Sequence, residues 1–418
     1  MYLPSWPNPA NHQQINLGLD RIRLLLARMN NPHHHLPKII HVAGTNGKGS
    51  TIAFLKSIFE VAGYKVDRYI SPHLVEFNER IEIANQKISD QKLQAYLNQC
   101  QKASEQLPQI PVSFFEGTTA SAFLAFSQSN SDILLLETGL GGEFDATNVI
   151  DQSLCSIITT IDYDHQEYLG NSLAEIAKAK AGIIKSNCLT ITCNQLPEVF
   201  EVINNQAKKL NSKLINCNDL EFDFSNIELG LKGDHQLENA KLAVSCILSQ
   251  KYFKFSNSQI IEGLKLAQWP GRLQKIVDHN LLKLFSQNCQ FYLDGSHNLQ
   301  GARTVKKFLE QFNGKKITLI FSMLKDKDCH GFLQEISTSN YYHINKIFFS
   351  EIPNQPRAIN YQEFQVITNS LNLNSQNCNN LKDAIIQASK QSSEIVMVCG
   401  SLYLVAEFLK IDWQNNFA

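Results

Sequence analysis

The chain has 418 residues, of which 43% are hydrophobic, so it is long enough for two domains that each bury a core. Its 38 Lys and Arg residues nearly balance its 39 Asp and Glu residues, which argues against partners that bind through net charge, such as nucleic acid or an anionic membrane surface. We therefore expect small-molecule partners, with no nucleic acid and no membrane.

The N-terminal residues lack the basic stretch and apolar core of a secretory signal, and no apolar run approaches the length that crosses a bilayer. Ten cysteines are scattered between Cys100 and Cys399 without CxxC pairs, and several lie in apolar runs that resemble strands, namely Cys155, Cys246 and Cys399. We expect buried, reduced thiols in a soluble, cytoplasmic protein.

A helical pattern of apolar residues opens the chain between Leu17 and Met29, and the apolar run Lys38–Ala43 then leads through a glycine-rich turn into a helix at 50–62. Strands and helices alternate after that. The predicted strands are 65–70, 132–136, 155–160 and 189–193, and the predicted helices are near 90–103, 118–127, 172–182, 197–210 and 235–249. This alternation is typical of a mainly parallel sheet.

The pattern breaks at Trp269-Pro270-Gly271-Arg272, and a second series of strands follows at 291–294, 316–322, 346–349 and 395–399. We predict two domains, 1–270 and 271–418. The predicted fold class is α/β: a P-loop ATPase-type domain with a mainly parallel sheet, followed by a smaller, Rossmann-like C-terminal α/β domain.

The segment Gly44-Thr45-Asn46-Gly47-Lys48-Gly49-Ser50 follows the first strand and opens a helix. Its backbone N–H groups, its lysine and the helix N-terminus all favour phosphate oxygens, so it predicts a phosphate-binding loop. It departs from the GxxxxGK[ST] pattern, because Val42 holds the place of the first glycine and Gly49 separates Lys48 from Ser50. A turn without a ligand is the alternative, but it does not explain the lysine.

Three side chains at strand ends are candidate Mg²⁺ ligands: Ser71, Glu137 and His165. Because the Ser50 hydroxyl is displaced from the usual metal position, a Mg²⁺ ion would need ligands from elsewhere in the chain. Neighbouring parallel strands end at the same edge of a sheet, so residues at those ends can supply them. Each residue alone could be an ordinary turn or loop residue. The run His33 to His35 could also bind a metal, although a polar loop before the first strand is the simpler interpretation.

Taken in chain order, these motifs resemble those of the folylpolyglutamate synthase and dihydrofolate synthase family, which is related to the Mur ligases. The resemblance extends from about Leu17 to Ala406, and the ordered set is far more specific than any one motif. The matching motifs are Leu17-Gly18-Leu19-Asp20-Arg21-Ile22, the GTNGKGS loop, Ser71-Pro72-His73-Leu74, Glu79-Arg80-Ile81, Phe115-Glu116-Gly117-Thr118, the glycine-rich stretch 139–148, Asp164-His165, 178–185, Asp234-His235-Gln236, Pro270-Gly271-Arg272, Asp294-Gly295-Ser296-His297-Asn298, 325–328 and Gly400-Ser401-Leu402-Tyr403.

The resemblance implies a monomeric ATP-dependent ligase that joins L-glutamate to dihydropteroate, to reduced folates or to both through an acyl phosphate. ATP is the co-substrate, with one or two Mg²⁺ ions held by Ser71, Glu137 and His165, and with Lys48 and His165 as catalytic groups. The implied ATP contacts are Asn46, Gly47, Lys48, Gly49, Ser50, Asn239, Arg272, Asp294 and His297. The implied contacts to the pterin-containing substrate are Asn16, Leu17, Gly18, Ser113, Phe114, Phe115, Glu116, Phe144, Asp145 and Ala146.

By the same resemblance, Lys180 matches a lysine that CO₂ converts into an anionic carbamate, and it counts as a third catalytic candidate. An amine attacks CO₂ only when it is neutral, and desolvation lowers the pKa of a lysine. The alternatives are a solvated, unmodified lysine or confusion with Lys178 or Lys185. Two residues depart from the family pattern: Glu143 replaces an arginine beside the pterin site, and Ser296 replaces an alanine.

Two other interpretations stay open. A Mur-type cell-wall ligase shares the chemistry, but it would need a sizeable domain before the phosphate loop, and only 43 residues precede Gly44. In a P-loop kinase or a nucleotide-regulated binding protein, Lys180, His165 and the second domain would have no role in the chemistry. ATP hydrolysis that depends on both glutamate and a folate would separate these classes.

Overall fold

The computed structural model describes residues 6–7, 17–277 and 280–413. The chain forms two compact units, the first made of Met1–Gly230 and Gln236–Gln268 and the second of Leu231–His235 and Trp269–Ala418. Each unit contains one sheet that is mainly parallel, so the predicted fold class is confirmed. The short stretch Leu231–His235 belongs to the second unit, which a single cut in the sequence would miss.

Strands and helices alternate through most of the described residues. The strands are β1 (Lys38–Ala43), β2 (Val66–Tyr69), β3 (Ile81–Ile83), β4 (Gln86–Lys87), β5 (Ile133–Glu137), β6 (Cys155–Ile158), β7 (Leu189–Thr192), β8 (Lys213–Asn216), β9 (Gln274–Ile276), β10 (Gln290–Leu293), β11 (Lys316–Phe321), β12 (His343–Ser350), β13 (Ser375–Cys378) and β14 (Ile395–Cys399). The α-helices are α1 (Asp20–Arg28), α2 (Lys48–Val61), α3 (Asp90–Glu105), α4 (Phe114–Ser127), α5 (Gln166–Leu169), α6 (Leu173–Ala181), α7 (Pro197–Lys209), α8 (His235–Ser249), α9 (Asn257–Leu266), α10 (Leu299–Glu310), α11 (Cys329–Ser337), α12 (Tyr361–Ser370), α13 (Leu381–Ser389) and α14 (Leu402–Lys410).

The first sheet has the strand order β4-β3-β2-β5-β1-β6-β7-β8. Along the sheet from β2 through β5, β1, β6 and β7 to β8, every neighbouring pair is parallel. At the other edge, β3 pairs antiparallel with both β2 and β4. Strand β1 lies in the middle, and all of its residues except Lys38 are buried, as expected for a parallel strand covered on both faces. The carboxyl ends of β2, β5, β1 and β6 are therefore neighbours at one edge of the sheet.

Two of the hydrophobic clusters that pack against this sheet involve the helices α1, α3, α4, α6 and α7. One joins α1, α3 and α4 to inward residues of β5 such as Leu134 and Leu136. The other joins α6 and α7 to the ends of β1 and β6 through Ala43 and Ile158. Helix α6, which carries Lys180, is thus held against the strands that flank the phosphate-loop candidate.

The second sheet has the order β13-β12-β11-β14-β10-β9 and is parallel except for the edge strand β9. Its core is rich in aromatic rings, with Phe364 stacked between Phe321 and Phe349 at ring-centre distances of 5.5 Å and 4.8 Å. Within the described residues of both units, no helix is both long and apolar enough to cross a bilayer.

Two local predictions were wrong. The helix predicted near 118–127 begins earlier, at Phe114. Ser113 caps it, so residues 114–117 form its first turn. Cys246 lies in α8 and not in a strand, since a short apolar run fits a buried helix as well as a strand. All ten cysteines are free thiols, and nine of them are buried.

Candidate active site

The GTNGKGS loop joins β1 to α2, and two of its glycines sit where a side chain would collide. A Cβ on Gly44 would lie 1.8 Å from Oγ1 of Thr159, and a Cβ on Gly47 would lie 2.4 Å from Oδ1 of Asn239. Gly47 also has φ 92°, a conformation that favours glycine. The loop therefore lies against the end of β6, and Asn239 of α8, a predicted ATP contact, lies beside it.

Helix α2 begins at Lys48, directly after the loop. The first N–H groups of a helix have no acceptor within the helix, so those of Lys48, Gly49 and Ser50 are available to an anion. The positive end of the helix dipole adds to this preference. This geometry suits phosphate oxygens, and the five predicted loop contacts from Asn46 to Ser50 all lie in this turn.

Two lysines bond the carbonyl groups of the loop. Lys48 Nζ donates to the carbonyl oxygens of Gly44 and Thr45 at 3.1 Å and 3.2 Å. Lys180 Nζ, which comes from α6, donates to the carbonyl oxygen of Gly44 at 2.9 Å. Both side chains thus donate to the same backbone group, the carbonyl oxygen of Gly44.

Lys180 is only 4% exposed, so the solvated alternative for this residue is wrong. Burial, with the nearby charge of Lys48 as the second cause, lowers the pKa of its amine to about 7. A substantial share of the amine is therefore neutral near pH 7. Lys178 is exposed on the other side of the helix, and Lys185 donates instead to the carbonyl oxygen of Asn148 at 3.3 Å.

Of the three predicted Mg²⁺ ligands, Glu137 is the last residue of β5, Ser71 follows the end of β2, and His165 comes seven residues after the end of β6. The carboxyl ends of these strands and of β1, which leads into the phosphate loop, lie at the same edge of the sheet. The backbone N–H of Ser71 donates to Oε2 of Glu137 at 3.2 Å, so these two residues are in contact. His165 caps α5 with φ 51°, and its ring Nε2 lies 3.9 Å from Oδ2 of Asp164. Strands β2 and β5 are neighbours, whereas β1 lies between β5 and β6, so the contact of Ser71 with Glu137 does not extend to His165. A carboxylate, a hydroxyl and an imidazole are donor types that fit a divalent cation.

No group of three His, Cys, Asp or Glu side chains in the described part of the chain has a metal-site arrangement. The predicted ligand set includes only two such residues, since its third member is a serine. His33, His34 and His35 lie in a short 3₁₀ helix, and burial lowers the pKa of His33 to about 4. The polar-loop interpretation of this run is the one that the geometry supports.

Ser113 and Glu116 form a capping box at the start of α4: Oγ of Ser113 accepts from the N–H of Glu116, and Oε2 of Glu116 accepts from the N–H of Ser113 at 2.6 Å. Arg21, outside the predicted contacts, pairs with Glu116 at 3.0 Å. The ring of Phe115 fills the space beside Gly139, where a Cβ would come within 2.4 Å of it. The start of α4, where Phe114 is also buried, therefore lies against the glycine-rich stretch after β5.

Asp145 is buried, and its carboxylate holds that stretch in shape. It accepts from the N–H groups of Gly139 and Leu140 at 2.9 Å and 2.8 Å, and from the N–H and Oγ1 of Thr147 at 3.0 Å and 2.5 Å. Thr147 Oγ1 also lies 2.9 Å from Nε2 of His41, a buried residue of β1. Asp145 therefore stabilises the backbone of this stretch. The side chain of the neighbouring Phe144 is instead 51% exposed.

A cavity of about 340 Å³ opens beside the glycine-rich stretch. Leu17 and Phe144, two predicted substrate contacts, line it together with Glu143, Tyr168 and Lys178. Gly18 follows Leu17 directly, Ala146 is buried next to Asp145, and Asn16 lies outside the described residues.

The second unit gathers three predicted ATP contacts around the end of β10. Asp294 accepts from the N–H groups of Leu273 and Ser296, both at 2.9 Å, which ties the turn containing Arg272 to this strand end. His297 Nδ1 lies 2.9 Å from the carbonyl oxygen of Gly295. Arg272, Asp294 and His297 are therefore neighbours within the second unit.

Two supporting interactions lie outside the predicted set. Thr159 Oγ1 donates to the carbonyl oxygen of Asn46 at 2.7 Å and so fixes the phosphate loop against β6. Arg80 Nε donates to Nδ1 of His73 at 2.9 Å, next to the Ser71 turn. His73 and Arg80 stand in the recognisable Ser-Pro-His and Glu-Arg-Ile motifs, but Thr159 has no local signal, because its role depends on a contact across 113 residues.

Comparison with known proteins shows which family this chain resembles over its whole length. A family model described as the C-terminal domain of dihydrofolate synthetase matches residues 276–411. The dihydrofolate synthase/folylpolyglutamate synthase of Bacillus subtilis is 33% identical and is aligned over 97% of each chain. E. coli FolC in complex with DHPP and ADP has a TM-score of 0.82 at 28% identity, covering 95% of this chain and 94% of that chain.

A bifunctional folylpolyglutamate synthase/dihydrofolate synthase with Mn, AMPPNP and L-glutamate bound has a TM-score of 0.81 at 28% identity and covers 95% of both chains. These matches extend over both units, so they are not confined to the phosphate-loop motif. The chain belongs to the dihydrofolate synthase/folylpolyglutamate synthase family.

Proposed function

We propose that this protein is an ATP-dependent amide ligase that joins L-glutamate to dihydropteroate, to reduced folates or to both, with release of ADP and phosphate. The observation that carries the proposal is the convergence of the phosphate-loop candidate, the contact between Ser71 and Glu137, and the buried Lys180 amine at one edge of the first sheet. An ordinary phosphate-binding module has no need of the last two features. Family membership supports the same chemistry.

We assign the triphosphate to the N–H groups at the start of α2 and to Lys48, whose ammonium would exchange its loop carbonyls for phosphate oxygens. Asn239 would contact the nucleotide beside Gly47. We also propose Arg272, Asp294 and His297 of the second unit as nucleotide contacts. Ser71, Glu137 and His165 would hold one or two Mg²⁺ ions, which when bound neutralise negative charge on the phosphates.

The reaction has two steps. A carboxylate oxygen of the pteroyl substrate attacks the γ-phosphorus in line, the bond to the β-phosphate oxygen breaks, and ADP leaves. The neutral amine of glutamate then attacks the acyl carbon, phosphate leaves and the amine loses a proton, giving the amide. Positioning of the reactants by one site can contribute roughly 7 to 11 kcal/mol toward the barrier.

We propose that Lys180 carries a carbamate in the active enzyme. Its buried position and lowered pKa support this, because the neutral amine is the form that attacks CO₂. The free thiols support a reducing compartment, so we propose a cytoplasmic location, and the balanced charge supports small-molecule partners without nucleic acid. We also propose that the chain acts as a monomer.

The test is ADP release with dihydropteroate or tetrahydrofolate, each with and without L-glutamate, together with mass spectrometry of the product. We expect full turnover only when ATP, a pteroyl compound and glutamate are all present, and loss of most of it in Lys180→Ala. ATP hydrolysis at full rate without the other two substrates would contradict the proposal. A requirement for a UDP-sugar peptide would instead indicate a Mur-type ligase.

A further inference from the structure

The end of helix α6 lies directly against the glycine-rich stretch, backbone against backbone. A Cβ on Gly142 would come within 2.7 Å and 2.8 Å of the carbonyl oxygens of Ala179 and Lys180. A Cβ on Gly182, the residue that follows the helix, would come within 2.4 Å of Cβ of Glu143. Each glycine therefore permits an approach that any other residue would prevent.

Asn148, the last residue of that stretch, bonds both sides of this contact. Its Nδ2 donates to the carbonyl oxygen of Glu143 at 3.0 Å and to that of Gly182 at 3.1 Å. The N–H of Glu143 in turn donates to the carbonyl oxygen of Ala179 at 2.7 Å. Asn148 is buried, and its Oδ1 has no hydrogen-bond partner among the described residues. The amide must direct its nitrogen at the two carbonyl groups, because the reversed amide would set an oxygen against them.

This contact lies within two residues of Lys180, whose Nζ donates to the carbonyl oxygen of Gly44. Burial is the largest cause of the lowered pKa of the Lys180 amine, and the charge of Lys48 is the second. The charged side chains that act on this amine are those of Lys48, Asp164 and Asp145. If the end of α6 moved away from the stretch, water would reach the amine and its distance from Lys48 would grow. Both changes raise the pKa of a lysine.

We propose that Asn148 is a positioning residue for Lys180: its two amide bonds hold the end of α6 against the glycine-rich stretch and so keep the Lys180 amine at the phosphate loop in a form that reacts with CO₂. In that step the amine nitrogen bonds to the carbon of CO₂ and one proton leaves to solvent, which gives an anionic carbamate. The neutral amine is the form that takes part. The inference rests on the proposed function, which assigns the carbamate to Lys180.

The first test is competitive acetylation of the full chain in CO₂-free buffer at several pH values, with mass spectrometry of the peptide that contains Lys180. We expect a midpoint near pH 7 in the wild type. In Asn148→Ala the midpoint should be at least about one pH unit higher, because two carbonyl groups lose their donor and the end of α6 is released. Gly182→Ala forces the same contact apart without backbone strain, since φ is −61° there, and should give the same rise.

Asn78→Ala is the matched control. Asn78 is also a buried asparagine of the first unit, and its Nδ2 also donates to two acceptors, the carbonyl oxygen of Ile88 and Oδ1 of Asp90, both at 2.8 Å. None of these residues contacts α6 through a hydrogen bond described here. The Lys180 midpoint in Asn78→Ala should therefore stay at its wild-type value.

The second test uses ¹³C-labelled bicarbonate and NMR spectroscopy, in which a carbamate on Lys180 gives a signal that Lys180→Ala lacks. At pH 7, a rise of the pKa from about 7 to about 8 lowers the neutral share of the amine from about one half to about one tenth. We therefore expect the carbamate signal of Asn148→Ala to be roughly fivefold weaker than that of the wild type, and the signal of Asn78→Ala to be unchanged.

Unchanged acetylation midpoints in both Asn148→Ala and Gly182→Ala would overturn the inference. An equal rise in Asn78→Ala would overturn it as well, because it would indicate a general loosening of the first unit. A wild type that has the lowered midpoint but no carbamate signal would instead refute the carbamate of the proposed function, while the midpoints would still decide whether Asn148 positions the amine.

Discussion

At the scale of single residues, Lys180 shows how burial changes the chemistry of a side chain. Its amine is enclosed by α6 and the phosphate loop, close to the like charge of Lys48. Burial lowers its pKa from 10.5 to about 7. Between these two values the unfolded chain binds a proton that the folded chain does not, so stability rises with pH across that window.

We therefore expect the free energy of unfolding of the wild type to rise relative to Lys180→Met from about pH 7 to about pH 9, by at most about 1.4 kcal/mol per pH unit. Urea titrations in CO₂-free buffer at several pH values measure this difference. Lys178→Met, which changes an exposed lysine of the same helix, should give a difference that does not depend on pH. A difference between wild type and Lys180→Met that does not change with pH would show that folding does not lower the pKa of the Lys180 amine.

Gly44 gives a steric prediction at the same scale. Gly44→Ala should lower the free energy of unfolding by about 1 to 3 kcal/mol and abolish ATP binding, because the added Cβ would lie 1.8 Å from Thr159 Oγ1. Gly63→Ala is the matched control, since Gly63 also has a positive φ but has no atom within 4 Å of an added Cβ. Urea titration and nucleotide-binding calorimetry measure the two effects. Equal losses of ATP binding in both variants would contradict the steric explanation.

At the scale of elements, two helices of the first unit begin with the same local motif, a capping box, but in different surroundings. The capping box of α4 uses Ser113 and Glu116 and is tied to α1 by Arg21, beside the glycine-rich stretch. The capping box of α9 uses Ser256 and Gln259 and has no such neighbours among the predicted substrate contacts. The same local motif therefore serves stability in one helix and, by our assignment, both stability and substrate binding in the other.

Ser113→Ala and Ser256→Ala should each lower the free energy of unfolding by about 1 kcal/mol, because each removes an acceptor for a helix N–H group. Only Ser113→Ala should also raise the KM for the pteroyl substrate. Chemical denaturation and steady-state kinetics on the same preparations distinguish the two effects. If both variants keep the wild-type KM, the start of α4 is not part of the substrate site.

At the scale of the whole molecule, each unit builds its core from helices packed on a mainly parallel sheet, and the cysteines are part of these cores. Nine of the ten thiols are buried, and Cys289 is the partly exposed one. Burial raises the pKa of Cys289 to about 11, so even this thiol is mostly protonated at neutral pH.

Reaction with a disulfide reagent near pH 8 should therefore be slow in the native protein, with Cys289 reacting before the nine buried thiols, and should modify all ten thiols in denaturant. Cys289→Ser should remove this first reaction and leave only the nine slower thiols. Spectrophotometric counting of the released chromophore measures both numbers. Fewer than ten thiols in denaturant without reductant would show that a disulfide had formed.

The phosphate loop and most of the strands could be predicted from sequence because their signals are local: an apolar run, then glycines, a lysine and a helix. The edge strands β4, β8, β9 and β13 could not, nor could the three-residue strand β3 next to an edge, because short strands at the margin of a sheet bury little apolar surface and carry a weak pattern. The cavity charges were equally inaccessible, since Glu143 and Lys178 become neighbours of one space only through the path of the chain.

The sequence by itself determined the α/β class, the order of the motifs and the residue types at the candidate site, because these depend on neighbours a few positions apart. Only the tertiary structure decided which of three lysines is buried, that Lys180 meets the carbonyl of Gly44 across 136 residues, and that Asp145 supports the glycine-rich stretch from within. Such contacts depend on how helices and strands pack, and packing is a property of residues that are distant in the chain but adjacent in space.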